Sequence, residues 1–286
     1  HGWSSAFFQG TTKETSGTGE LAQRLGFEFS YGKYEVPGYD SLPKNDWGLF
    51  DRDIYKFVLK KTTELKEPFI VGINTNTTHS IEIPPDDPKT FGCEDFASCF
   101  LSAFASADRD LGKFFDDYGK LKHEYPTIWV LLADHTSKHE QRSRIDGFRI
   151  PMLIYAPEFF DKKFIDSHKV PASTQRDVGI TVAHLLGVDT SEMLGRSLLD
   201  PNAPTRSEYF HQGVLGWLID GRVFEVSIDS GNVIGCYDWR KDTAQKNDIL
   251  ATDKECHDNR ERAQGEALAI INWSQEKLFS GTIGKP

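Results

Sequence analysis

Apolar positions along the chain follow two rhythms, and the switch between them marks out the elements. Residues 20–29 combine a short amphipathic segment with the start of "GFEFSYG", which reads as the run-in to a strand, and "PGYDSLP" is a turn-rich loop. In "DWGLFDRDIYKFVLKKTTELK" the residues Ile54, Phe57, Val58 and Leu65 share one side of a helix, with Asp46 or Asp51 as its cap. "PFIVGINTNTTH" is an apolar strand running into a polar loop that carries His79. Next, Phe96, Phe100, Ala103, Phe104, Ala107, Leu111, Phe114 and Tyr118 recur at helical steps, which predicts a long helix with these residues toward the core. "TIWVLLA" and "IPMLIYAP" do not alternate and therefore read as strands buried on both faces. "TQRDVGITVAHLLGV" is a helix ending at Gly187, with His184 among its apolar positions as a packed histidine.

Strands alternating with helices imply βαβ units and a largely parallel sheet up to about residue 187. After "PNAPTRSE" the rhythm changes. "EYFHQG", "LGWLIDG" and "RVFEVSIDSG" are short runs with glycine turns, which predict an antiparallel meander, and Ala263 to Phe279 forms a terminal amphipathic helix. The expected fold class is α/β: a mostly parallel sheet flanked by helices, with an antiparallel C-terminal portion. Residues 1–200 form the main domain in this reading, and 201–286 a small subdomain.

Composition narrows the function. A formal charge of −10 over 286 residues argues against nucleic acid as partner, because phosphate contacts need a basic face. No run of about 18 apolar residues appears, so any membrane anchor lies outside this stretch. The sequence opens at His1 rather than Met, as a processed or excised piece would. The four cysteines fall into two local pairs, Cys93 with Cys99 and Cys236 with Cys256, neither at zinc-ribbon spacing. As disulfides they would contribute roughly 2.5 and 3.5 kcal/mol on the loop-entropy argument and would place the protein in an oxidising compartment, periplasmic or extracellular. Free thiols are the alternative.

One stretch invites chemistry. "IWVLLADHTSKHE" breaks from an apolar run into Asp134 and His135. Ligands of parallel sheets bind beyond the carboxyl ends of strands, so this pair and His79 could share a rim. A carboxylate and an imidazole suit a divalent ion (Mn, Zn, Mg or Ca), though two ligands are too few and His139 is a third candidate. A plain polar strand end is the competing reading. Lys138, Arg142, Arg144 and Arg149 make the following loop basic, able to clamp an anion. "GTTKETSGTGE" has the flavour of a phosphate loop but lacks the Gly-Lys-Ser/Thr order and any convincing strand before it. Neither GxSxG nor HExxH is present.

Taken in order, the pieces resemble the C-terminal two thirds of a sulfatase-like domain of the alkaline phosphatase superfamily. The branch they resemble holds lipoteichoic acid synthases and periplasmic phosphoglycerol transferases. "FFQGTTKETSGTGELAQRLGF", "NDWGLFDRDIY", "PFIVGINTNTTHSIEIP", "FLSAFASADRDLGKFF", "TIWVLLADH", "FRIPMLIYAP" and "TQRDVGITVAHLLGV…LGRSLL" each stand where that branch has a landmark. The resemblance implies that Asp134 and His135 are late metal ligands and that His79 contacts the transferred group or its leaving group. His1, Trp3 and Gln9 fall in substrate-holding regions, and Arg142 of the basic loop is the further expected substrate contact. The resemblance also places the family's threonine nucleophile and its neighbouring acidic ligand upstream of His1, since Thr11 and Thr12 stand out of order; an N-terminal half of the same enzyme is then an expected partner, and a degraded remainder of a full enzyme is the alternative. Thr136 replaces the usual glycine after Asp-His, and Thr78 the usual asparagine before His79. The implied activity is metal-dependent transfer or hydrolysis of a small anionic phosphate or sulfate ester, lipid-linked or free. Phosphoglycerol compounds are the expected substrates, and the parent enzyme would sit outside the cytoplasm, free or anchored in the inner membrane. A catalytically inactive binding or regulatory module on the same fold is the alternative.

Overall fold

A computed structural model describes residues 2–137, 143–162, 164, 172–191 and 193–281. The chain divides into two compact units, residues 1–126 and 127–286.

The first unit is built on a three-stranded parallel sheet in the order β2-β1-β3. Its strands and helices run β1 (Ser4–Gln9), α1 (Thr18–Arg24), β2 (Phe29–Tyr31), α2 (Asp51–Thr62), β3 (Phe69–Asn74) and α3 (Phe96–Tyr118). The central strand is the one the hydrophobic pattern misses. "SSAFFQ" is short and has serines at one end and glutamine at the other, so it offers too few apolar positions to stand out. Its identity comes from tertiary packing: Ala6 and Phe8 are fully buried, and Phe8 stacks on Tyr31 and meets the edge of Phe57. "GTTKETSGTGE" therefore does follow a strand, contrary to expectation.

Helix α2 buries Ile54, Phe57 and Val58 as the pattern predicts, but Leu65 falls beyond its end. Phe50 occupies the cap position, and Asp51 begins the helix instead. The core face of α3 differs from the predicted stripe. Cys99, Ser102, Ala103, Ser106, Asp110, Phe114 and Tyr118 are buried, while Phe96 and Phe104 are exposed. Polar residues can lie inside because each has a partner. Ser102 Oγ donates to the Gly92 carbonyl and accepts from the Phe91 amide, Ser106 bonds Asp87, and Asp110 pairs with Arg52 of α2. Tyr55 stacks on Phe114 at 4.5 Å, completing the α2–α3 contact.

In the second unit β4 (Trp129–Leu132) and β5 (Met152–Tyr155) form an antiparallel pair, with Trp129 opposite Tyr155. This corrects the expectation of doubly buried parallel strands: both are half-buried or exposed along their length. A parallel pair needs a crossover of a dozen or more residues, usually a helix, and the described part of the connection carries one 3-10 turn, Asp146–Phe148. Helix α4 (Gln175–Leu185) follows. His184 is exposed on it, bonded through Nδ1 to Ser197 Oγ rather than packed in a core.

The predicted meander is present with one strand more: β6 (Arg206–His211), β7 (Val214–Ile219), β8 (Arg222–Ser227) and β9 (Val233–Asp238), antiparallel in sequence order. Gln212-Gly213 and Asp220-Gly221 both have positive φ, the tight turns whose twist matches a hairpin. Helix α5 begins at Lys254, nine residues before the expected start, and ends at Phe279. It lays Cys256, Ala263 and Ala267 over Leu215, Trp217, Phe224, Val226 and Val233. Both cysteine pairs are disulfides, Cys93–Cys99 and Cys236–Cys256, the second tying β9 to the first turn of α5. No described helix is long and apolar enough to cross a membrane. The fold class is as expected, a parallel sheet with helices around it and a separate antiparallel sheet.

Candidate functional site

Three loops meet at the carboxyl end of the parallel sheet in the first unit. From β1 come Gln9, Gly10 and Thr11. The turn before α2 brings Asn45, Trp47 and Gly48, and the loop after β3 brings Asn76, Thr77 and His79. Gly48 approaches the first strand so closely that a Cβ there would lie 2.0 Å from the Gly10 carbonyl oxygen. The Leu49 amide donates to that same oxygen at 2.9 Å. Asp51 is buried and uses one carboxylate oxygen to accept the Asn76 and Thr77 amides, at 2.6 and 3.0 Å. Thr77 Oγ1 in return accepts the Asp51 amide. Burial raises the Asp51 pKa; the backbone donors and the Thr77 hydroxyl oppose that only in part.

His79 sits exposed at this rim with its ring centroid 4.0 Å from that of Trp47. Gln9 is 1% exposed; its Nε2 donates to the Thr12 carbonyl, and its Oε1 has no hydrogen-bond partner among the described residues. Asn76 Oδ1 is likewise buried without a partner. Unpartnered buried polar atoms are uncommon and mark places where water or a ligand group completes the set. Trp3 is exposed ahead of β1 and Gln9 ends it, six residues or about 20 Å along the strand, so the structure does not bring those two together. His1, Arg142, Lys138 and His139 lie outside the described residues.

Asp134 and His135 lie in the second unit, just past β4. Both side chains face solvent, with 81% and 67% exposure. Their backbone is nonetheless held: Gln175 Nε2 donates to the Ala133 and Asp134 carbonyls, and Thr136 Oγ1 donates to the Gly147 carbonyl. The His135 amide donates to Asp134 Oδ1, and His135 Nδ1 lies 2.8 Å from the Thr136 carbonyl. With Nδ1–H donating there, Nε2 keeps its lone pair, the tautomer a metal-binding histidine needs. Nε2 stands 3.4 Å from Asp134 Oδ2. Two donors each about 2.0–2.1 Å from one tetrahedral ion would be separated by about that distance, so the pair fits a divalent ion. No group of three His, Cys, Asp or Glu side chains able to hold a metal occurs among the described residues.

The sequence points to His79 and, two residues from the usual asparagine position, to Asn76, but it does not single out Asn45, the other amide that builds the surroundings of His79. The one signal for Asn45 is the "NDWG" turn, in which a tryptophan and a glycine sit together before a helix.

An α/β fold with a histidine at the sheet's rim and an Asp-His pair after a later strand places the chain in a definite class. It belongs to the sulfatase family, whose pattern matches residues 1–188. Among curated proteins it is similar to lipoteichoic acid synthase 2 of Bacillus subtilis, 24% identical over 212 residues, which is 67% of this chain and 32% of that protein. The chain thus spans about a third of that relative's length. Among solved structures it resembles an alkaline phosphatase superfamily protein from Vibrio parahaemolyticus, with TM-score 0.74, 21% identity, and 96% of this chain and 66% of the other covered. A lipoteichoic acid synthase from Listeria monocytogenes gives TM-score 0.66 at 16% identity, covering 94% of this chain and 70% of that one. The chain is a sulfatase-like domain near the lipoteichoic acid synthase branch.

Proposed function

We propose that the protein to which this chain belongs is a metal-dependent transferase or hydrolase of phosphate or sulfate esters. Phosphoglycerol-type phosphodiesters outside the cytoplasm are the substrates we favour. The observation that carries this reading is the Asp134–His135 pair: a carboxylate and a lone-pair nitrogen 3.4 Å apart on a backbone pinned by Gln175 and Thr136. The bound divalent ion would acidify a hydroxyl and offset the charge of the ester oxygens.

This chain's own residues do the rest. Asp134 and His135 are ligands, and the Thr136 carbonyl holds the His135 ring in the ligand tautomer. His79 offers an exposed ring nitrogen for a hydrogen bond to the transferred group or the departing oxygen, where negative charge builds. We place Gln9, Trp3, His1 and Arg142 in substrate contacts as well. The disulfides fit an oxidising compartment, periplasmic or extracellular, and an anchored parent is compatible with relatives of this branch.

Metal content of the full-length protein, measured by elemental analysis beside turnover of a phosphodiester and a sulfate ester, tests the reading. About one equivalent of Mn, Zn, Mg or Ca is expected, lost in Asp134→Ala and His135→Ala together with turnover. Metal content and turnover untouched by both substitutions would refute it, and metal-independent ligand binding without turnover would favour an inactive module on the same fold.

A further inference from the structure

The turn that carries Trp47 and the turn that carries His79 are fastened to one buried amide. Asn45 closes the first turn: its amide N–H donates to the Gly48 carbonyl at 2.9 Å. Its Oδ1 accepts from the Trp47 amide at 3.0 Å, the Gly48 amide at 2.9 Å and Asn76 Nδ2 at 3.0 Å. Asn76 Nδ2 also donates to the Leu49 carbonyl at 2.9 Å. The Asn76 carbonyl accepts the His79 amide at 3.0 Å, closing the second turn. Asn45 and Asn76 are 7% and 1% exposed, so these bonds work where water does not compete. The outcome at the surface is one contact, the Trp47 indole against the His79 imidazole at 4.0 Å and a 39° tilt.

Neither ring nitrogen of His79 has a hydrogen-bond partner among the described residues, so no polar contact sets its rotamer. An exposed imidazole held by nothing would sample several staggered rotamers. A ring packed against an indole whose backbone is locked has fewer available.

We propose that Asn45 and Asn76 are positioning residues, which hold Trp47 as a wall that presents the His79 imidazole in a single orientation at the rim. Their role in turnover rests on the reading that His79 contacts the transferred group; their role in orienting the ring does not. Neither asparagine touches the reacting atoms in this account. Their effect passes through Trp47 and the His79 backbone.

The test uses the full-length protein with isotope-labelled histidine, the His79 resonance being identified by its loss in His79→Gln. In the native protein that resonance is displaced by the indole ring current. Trp47→Leu should abolish the displacement, and Asn45→Leu should abolish it too although Trp47 is still present. Trp47→Phe and Asn45→Asp, which keep a ring and the three-way acceptor, should restore most of it and show that the variants fold. In parallel, Asn45→Leu should lower kcat by about tenfold or more with KM little changed, since misplacing a catalytic contact by an ångström is costly. A His79 resonance unmoved in Asn45→Leu overturns the proposal. So does full turnover in Asn45→Leu when His79→Gln is dead. Turnover unaffected by His79→Gln itself would instead remove the role assigned to His79, leaving the orienting network supported by the resonance shifts.

Discussion

The rim of the parallel sheet and the Asp134–His135 loop are both candidate chemistry, yet they are built in opposite ways. At the rim, buried amides and the Asp51 carboxylate bind three loops together, and the Trp47 and His79 rings emerge from them side by side. Past β4, the two polar side chains emerge almost whole, and what is held is the backbone beneath them. The first arrangement orients a side chain through its neighbours. The second holds two donors at ion spacing and depends on a ligand for further order. Substitutions of the buried rim residues should therefore show up in stability and in the placing of His79, and substitutions in the loop mainly in binding.

The largest expected effect is at Gly48. An added methyl would collide with the Gly10 carbonyl oxygen, a backbone atom that cannot swing aside, so Gly48→Ala should cost about 3 kcal/mol in denaturant unfolding. A variant of native stability would mean that the loops are not interlocked as described. Thr77→Val comes next: it strands the buried Asp51 amide and should cost about 1–2 kcal/mol by the same measurement.

The Asp51 carboxyl sharpens the contrast through pH. Because burial raises its pKa in the folded state, it favours folding when protonated, and that contribution is lost as pH rises through the raised pKa. Asp51→Asn can keep both amide contacts without the charge. Its Tm relative to the native protein should therefore climb as pH rises from about 4, the ordinary aspartate value, toward neutrality. A Tm difference that stays flat with pH would show that Asp51 is not desolvated. Smallest in stability are Asp134→Ala and His135→Ala, each within about 0.5 kcal/mol of the native protein without added metal. With metal added, the native protein should gain Tm by mass action and these variants should not. A loss of several kcal/mol in the metal-free variants would mean that the pair is structural.

How much of this was legible beforehand varied by element. α2, β3 and the β6–β8 meander follow from apolar spacing and from the Gln-Gly and Asp-Gly turns, because these are local signals. β1 was not legible, since six mostly small or polar-ended residues carry no period. The α3 face departs from the apolar stripe because Ser102 and Ser106 are buried against the loop before the helix and Asp110 against Arg52 of α2. His79, Asp134 and His135 can be picked out by residue type and motif order, but the linking role of Asn45 and Asn76 cannot, since an asparagine in a turn looks alike whether it faces water or a neighbour's amide.

Left to itself, the sequence determined the alternation of strands and helices, the hairpin turns, the local pairing of the cysteines, and the motif order that the sulfatase family shares. Those properties depend on backbone preference and on residues close together in the chain. Tertiary structure alone decided which strand is central, the antiparallel pairing of β4 with β5, and which polar groups are buried. These depend on contacts between distant segments, whose free energy is set by what each group loses to water and gains from its partner.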